Sequence, residues 1–382
     1  MRRIDRWVGS PLCRLLSPLS RLFEKRPEAN TVVLSKYLGI GSMILTYPLI
    51  HELKGRGYRV VFLSFEANRA LLERFGVDQV LTVDPKSPLA FLLGTWRCVR
   101  QSRRMRPKAF LNLEFFSRYS ALVGLFSGAP LRAGFHRIHL PIGGLYSHRS
   151  NFNVYEPVFA NFLNVGRIAN LVAEPDRLED YIDGFGQFFD GLPPPTLDGP
   201  YIVVNTETSQ SDAHLREWPV DKWCRLFGDL ARAFPGRKLV LDGTRRSRAT
   251  ADAIKAAAGD APIVDMVGEN SILELAALIA GAELVITVDS APAHLSAFAR
   301  TPTVVLYGPD TPQLFGYRLP WVRTLFKGLF CSPCLAIYDA KESVLDCRDN
   351  QCMKQISVAE VVAAARELLS GPGGVKSAVA GK

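Results

Sequence analysis

The chain has 382 residues, 48% of them hydrophobic and 22% charged, with a formal net charge of +9. That length accommodates two ordinary domains with substantial cores, and the composition excludes a disordered chain apart from a Gly/Ala/Lys-rich tail at 371–382. No stretch reaches the ~18 apolar residues that cross a bilayer, and the first residues lack the unbroken apolar core of a secretory leader. The expectation is a cytoplasmic protein with reduced thiols.

Residues 1–30 read as a basic amphipathic arm. Arg2, Arg3, Arg6, Arg14, Arg21, Lys25 and Arg26 face only Asp5 and Glu24 over the first 26 positions, which leaves the rest of the chain close to neutral. A nucleic-acid footprint spread over the fold is therefore not expected. Ile4, Trp7, Val8, Leu12, Leu15, Leu16, Leu19, Leu22 and Phe23 recur at helical spacing among these charges, while Gly9, Pro11 and Pro18 cut the run into short pieces. Such a segment suits an anionic membrane interface; packing on the protein's own surface is the alternative.

From Thr31 strands alternate with helices. Strands are expected at Thr31–Ser35, Tyr58–Ser64, Gln79–Val83 and Ala109–Leu113. Helices are expected at Ser42–Lys54, Asn68–Phe75, Pro88–Arg104 and Ser117–Phe126. Phe135–Asn153 has no clear period and reads as loop. The stretch 192–200 (LPPPTLDGP) reads as a linker, because its four prolines continue neither a helix nor a central strand. The alternation restarts at Tyr201. It runs through strands Tyr201–Asn205, Lys238–Asp242, Pro262–Met266, Glu283–Val288 and Thr303–Tyr307 to a closing helix at Ser357–Leu369. The pattern predicts an α/β protein with two Rossmann-like, doubly wound parallel-sheet domains, 31–191 and 201–370, facing a cleft.

The sharpest motif is Asp289-Ser290-Ala291-Pro292-Ala293-His294, where a buried strand passes directly into a helix. Ser290 is placed as an N-cap and Pro292 in the first turn. The free N–H groups and positive dipole end of that helix suit a pyrophosphate, and His294 lies one turn further on. Cys331, Cys334, Cys347 and Cys352 fall within 22 residues and offer a tetrahedral thiolate set for zinc or an iron–sulfur cluster, although the spacing is not that of a zinc ribbon. Free thiols are the alternative. Gly39-Ile-Gly41 lacks the third glycine of a dinucleotide fingerprint, and no acidic residue closes the second strand, so an oxidoreductase is not supported.

Several of these segments, in order, resemble glycosyltransferase family 9, which contains the lipopolysaccharide heptosyltransferases. The resemblance rests on Gly39-Ile-Gly41 with Thr46-Tyr-Pro48, Arg132-Ala-Gly134-Phe135, Arg216-Glu-Trp218-Pro219, Asp289 to His294, and Gly308-Pro309-Asp310-Thr311-Pro312. It covers about Thr31 to Leu369. It implies the GT-B fold, a nucleotide-sugar donor on the second domain, and a glycan or lipid-linked acceptor on the first. Inverting transfer without a required metal is also implied. Arg216 is then the cation on the leaving diphosphate, and Thr206, Thr208 and Ser209 supply donors beside it. Gly41 and Arg132 are placed at the acceptor.

Two departures stand out. The family's first loop carries Gly-Asp, the proposed base, where this chain has Gly41-Ser42. A serine hydroxyl is too weak to deprotonate a sugar hydroxyl unaided, and Glu114, at the end of a central strand, is the candidate replacement, with His136 or His139 behind it; a surface carboxylate is the alternative reading of Glu114. The family's ribose-contacting Glu, about four residues after Gly243, is Ser247 here, so ADP-heptose is not implied as the donor. A sugar-nucleotide epimerase and a non-catalytic glycan-binding protein that has lost its base are the competing readings.

Overall fold

The computed structural model describes residues 2–173, 178–195, 197–207, 213–335 and 347–370. Thr208, Ser209 and the tail at 371–382 lie outside these residues. The chain divides into two units, Met1–Gly184 and Phe185–Lys382. The boundary precedes the proline-rich stretch because Phe185 already packs on Phe298, with ring centroids 4.5 Å apart.

The arm forms α1 (Arg2–Trp7), α2 (Gly9–Leu16) and a 3-10 turn, Ser20–Phe23. The breaks fall at Val8 and around Pro18, whereas Gly9 and Pro11, expected to interrupt the run, lie in the first turn of α2. The first unit continues with β1 (Ala29–Ser35), α3 (Ile40–Ile44), α4 (Tyr47–Gly55), β2 (Arg59–Phe65), α5 (Arg69–Glu73) and β3 (Gln79–Val83). It ends with α6 (Pro88–Met105), β4 (Pro107–Asn112), α7 (Arg118–Phe126), β5 (Leu131–Phe135), β6 (His148–Ser150), α8 (Val158–Ile168) and α9 (Glu179–Phe185). The sheet is parallel, in the order β3-β2-β1-β4-β5-β6. The single helix expected over Ser42–Lys54 is two. Pro48 sits in the first turn of α4, where its missing N–H costs nothing, whereas in mid-helix it would break the ladder. The loop expected at Phe135–Asn153 contains edge strand β6, paired with Ala133–Phe135; three residues are too few to show a period.

The arm folds onto this unit through one face. The Asp5 carboxylate accepts the backbone N–H of Tyr119 (2.7 Å) and Arg118 (3.2 Å) at the start of α7. Cys13 is buried, and Glu24 pairs with Arg132 at 3.0 Å. Trp7, Leu12, Leu15, Leu19 and Leu22 remain exposed.

The second unit comprises β7 (Tyr201–Asn205), α10 (Ala213–Arg216), α11 (Val220–Ala233), β8 (Lys238–Asp242), α12 (Arg248–Ala257), β9 (Ile263–Asp265) and α13 (Ile272–Gly281). After these come β10 (Leu284–Val288), α14 (Ala291–Phe298), β11 (Thr303–Tyr307), α15 (Pro312–Phe315), β12 (Val322–Phe326), α16 (Gln351–Lys354) and α17 (Val358–Ser370). Its parallel order is β12-β11-β10-β7-β8-β9. Trp218 and Trp223 meet edge to face at 4.7 Å and, with the inner faces of α11 and α17, fill one side of the sheet. In each sheet the strand order reverses beside a central strand, between β1 and β4 and between β7 and β10. Such switch points open at the strand C-terminal ends, where ligands bind in this class of sheet.

Candidate active site

In the second unit the ends of the neighbouring strands β10 and β11 and of α10 come to one place. Asp289 follows β10, Asp310 follows β11 by three residues, and Arg216 ends α10. The Arg216 guanidinium is buried and donates to the Asp289 carboxylate at 3.1 Å, to the Asp289 carbonyl at 3.3 Å and to the Asp310 carboxylate. The expected neighbours Arg216 and Asp289 are thus brought together, and Asp310 joins them. Its motif was visible in the sequence, but nothing there showed that the carboxylate turns onto Arg216. One cation between two carboxylates is a fixed cation, held in place before any ligand arrives.

His294 lies in the same cluster but is wholly enclosed. Its Nδ1 meets the Tyr317 hydroxyl. Burial, then the field of Arg216, drives its pKa down to about 3, so the ring is neutral at physiological pH. Ser290 occupies the N-cap position of α14 but makes no capping bond; its hydroxyl donates instead to the Val288 carbonyl at 3.2 Å. The first N–H groups of the helix, at Ala291 and beyond, are therefore not covered by the Ser290 side chain, which leaves the anion-attracting end open to another acceptor. Thr206 is buried just past the end of β7, whose Asn205 pairs with Thr287 of β10.

Glu207 is the residue that the sequence reading missed on this side. Its carboxylate accepts from the Thr244 hydroxyl (2.7 Å) and backbone N–H, the Ser247 hydroxyl (3.2 Å) and Arg246 (3.4 Å). An acid from the end of β7 thus reaches the turn that carries Ser247. Only its place between two threonines after a strand hinted at this.

In the first unit Glu114 follows β4 and is buried. Its Oε1 accepts the backbone N–H of Tyr37 and of Leu38 (2.7 Å) and lies 3.9 Å from the Lys36 ammonium. Lys36, itself buried, sits over the Phe115 ring at 4.7 Å. Glu114 therefore holds the β1–α3 loop. That loop turns at Gly39, whose φ of +82° favours glycine, and there the Ser42 hydroxyl donates to the Gly39 carbonyl at 3.0 Å. Gly41 lies in α3 beside it. Arg132 has a different post from the one expected: buried, it donates to the Leu145 and Ala129 carbonyls and to Glu24. His136, next along from β5, has a buried Nδ1 with no hydrogen-bond partner, and its pKa is lowered, first by burial and then by Arg149.

The four cysteines gather around the turn after β11. Cys334 donates its N–H to the Pro309 carbonyl at 2.9 Å, and the Ser332 hydroxyl donates to the Gly308 carbonyl. A Cβ at Gly308 would lie 3.1 Å from Cys352 Sγ. Burial, then the fields of Cys352, Cys347 and Cys331, raises the Cys334 thiol to about 11. The donor set suits a thiolate metal site in kind, but among the described residues no group of three or more His, Cys, Asp or Glu has metal-holding geometry.

Two parallel six-stranded sheets of this order are those of the GT-B fold, the architecture of many nucleotide-sugar transferases. Escherichia coli heptosyltransferase WaaC, solved with ADP, superposes with a TM-score of 0.68 at 18% identity, covering 88% of this chain and 99% of that one. The iron-containing dodecameric glycosyltransferase TibC of enterotoxigenic E. coli matches at 0.54 and 15%, over 90% and 77% of the two chains. Lipopolysaccharide heptosyltransferase 1 of Salmonella typhimurium is 34% identical over 121 residues, which are 31% of this chain and 36% of that relative. Residues 117–344 match glycosyltransferase family 9 (heptosyltransferase), and the chain belongs to that family.

Proposed function

We propose that the protein transfers a sugar, heptose or a related one, from a nucleotide-sugar donor to a hydroxyl of a glycan or glycolipid acceptor in bacterial surface-polysaccharide synthesis, with inversion at the anomeric carbon. The observation that carries this reading is the fixed Arg216 at the uncovered N-terminus of α14, within the family to which the chain belongs. The acceptor oxygen forms the new glycosidic bond as the bond to the diphosphate breaks. Charge grows on that leaving phosphate, and donors set in advance lower the barrier. Arg216 and the N–H groups after Ser290 supply that charge stabilisation, so the step requires no metal. Thr206, Thr208 and Ser209 complete the donor side, and Glu207 stands ready for the ribose hydroxyls.

Glu114 takes the acceptor's proton in this scheme, and Ser42 and Gly41 shape the loop beside it; the neutral His136 is the alternative acceptor of that proton. A nucleotide-binding protein without transfer is the second reading, favoured by Ser42 and by the backbone bonds of Glu114. Calorimetric titration with a panel of nucleoside diphosphates, followed by transfer assays, separates the two. Tight diphosphate binding with turnover supports the enzyme, binding without turnover to any acceptor supports the second reading, and no binding removes both.

Cys331, Cys334, Cys347 and Cys352 are the side chains that would hold a zinc or iron ion, a reading supported by their nearness around the turn after β11. The basic arm places the protein on the cytoplasmic face of an anionic membrane, a location that suits a lipid-linked acceptor.

A further inference from the structure

Helix α6 carries a face that its own domain does not use. Its inner side packs on the sheet through Cys98 and Phe91 and, by the Thr95 hydroxyl, on Tyr119 at 2.9 Å. Its outer side presents Leu89, Leu92, Leu93 and Trp96 at 67, 63, 45 and 56% exposure. These positions follow i, i+3, i+4, i+7 spacing, the stripe that normally faces a core. Here it faces solvent. Contiguous exposed apolar surface of this kind marks an interaction site.

The charges on the same helix indicate the partner. No Asp or Glu occurs between Pro88 and Met105, and Arg97, Arg100 and Arg104 are exposed on the turns that follow the leucines. Trp96 lies at the junction, with the Arg100 guanidinium 5.1 Å from its ring. At the helix's C-terminal end Lys25, from the chain just after the arm's 3-10 turn, joins Trp96, Val99, Arg100, Arg103 and Arg104 around an open pocket of about 320 Å³. Arg103 donates to the Phe23 and Phe126 carbonyls at 3.3 Å each, which fixes the arm to this end of α6.

We propose that the outer face of α6, continued by the arm, is the surface that docks on an anionic lipid bilayer. The leucines and Trp96 enter the boundary between headgroups and acyl chains, and the arginines and Lys25 meet lipid phosphates. Leucines bounded by an interfacial tryptophan and flanked by arginines match that boundary layer by layer. No described helix is long and apolar enough to cross a membrane, so α6 lies on the surface. The inference deepens the membrane placement proposed above: it rests on that placement and moves its main apolar contact from the arm to α6.

The test uses the full chain with vesicles of phosphatidylglycerol and phosphatidylcholine, against phosphatidylcholine alone. Wild-type protein should co-sediment with the anionic vesicles in a salt-sensitive way. The Leu92→Glu/Leu93→Glu variant should lose roughly tenfold or more in partition. Arg100→Gln/Arg104→Gln should lose roughly fivefold per charge, the equivalent of about 1 kcal/mol for each basic residue at an anionic surface. Brominated lipid should quench a fluorescence component that disappears in Trp96→Phe. All variants should keep their circular dichroism, nucleoside diphosphate affinity and transfer to a lipid-free acceptor, so a failure of docking is distinct from a failure of the enzyme assignment. The inference is overturned if the α6 variants bind like wild type while Leu12→Glu/Leu15→Glu abolishes binding. It is equally overturned if wild type ignores anionic vesicles, or if sedimentation shows that the Leu92→Glu/Leu93→Glu change breaks a dimer instead.

Discussion

The carboxylate of Glu114 accepts the backbone N–H of Leu38 at 2.7 Å, across 76 residues of chain. The acid thereby shapes the first loop, and in the proposed reaction it also takes the acceptor's proton. Glu114→Gln keeps the size of the side chain and one acceptor oxygen. If Glu114 takes the proton, turnover should fall by roughly 100-fold or more, on the usual scale for a lost general base, while nucleotide affinity holds. Full activity in Glu114→Gln would confine the residue to holding the loop, and His136→Gln would then be the variant that loses turnover.

Arg216→Ala should lower kcat more than it raises KM, because the leaving phosphate gains charge towards the transition state. A loss of about 2.7–4 kcal/mol is typical when one such donor is removed. The substitution also removes the cation from beside two buried carboxylates, so a thermal melt must accompany the kinetics. Asp310→Asn gives the cleaner comparison. Less negative charge beside Arg216 should tighten nucleoside diphosphate binding several-fold, read by calorimetry. Weaker binding would mean that Asp310 holds Arg216 in its working position rather than competing with the phosphates.

His294 gives the second unit a pH dependence. Its folded pKa of about 3 lies below the ordinary 6.5. The neutral ring therefore contributes its full stability above about pH 6.5, and that contribution is lost as pH falls from there towards 3. By pH 4 the loss is on the order of 3 kcal/mol, at about 1.4 kcal/mol for each unit. Urea melts of wild type and His294→Gln between pH 7 and 4 should converge as the pH drops. Parallel curves would place the titrating group elsewhere.

Protein prepared without chelator should contain about one equivalent of zinc or iron if Cys331, Cys334, Cys347 and Cys352 close on a metal. Chelation should then destabilise the turn after β11 and the neighbouring α16, since bound metal contributes directly to folding. Four titratable thiols in the native protein, with no metal by elemental analysis, would leave them as packing and surface residues.

The alternation of apolar strands with helices was enough to place both sheets, because strands buried on both faces, such as Val203–Val204 and Val285–Ile286, carry a signal that loops do not. The edge strands β6 and β12 were not legible: His148–Ser150 is too short and Val322–Phe326 too half-buried to show it. At the site, Arg216 and Asp289 could be singled out because each sits in a recognisable local motif, and the structure brings the two together. The contributions of Asp310 and Glu207 depend on carboxylates that cross between neighbouring strand ends, and no local pattern records such a crossing. Arg132 shows the reverse case, a motif residue whose guanidinium is taken up by carbonyls and by Glu24.

The bond from Asp5 to the start of α7 has a practical side. A biochemist seeking better-behaved material would be tempted to delete the leucine-rich first 27 residues. That deletion removes the acceptor for two N–H groups at the start of α7 and takes Glu24 from Arg132, whose guanidinium lies inside the domain. A lost helix cap alone is worth about 1 kcal/mol. The shortened protein should therefore be easier to keep in solution and quicker to unfold on warming, and Asp5→Asn in the intact chain would reproduce part of that heat-lability without touching a single leucine.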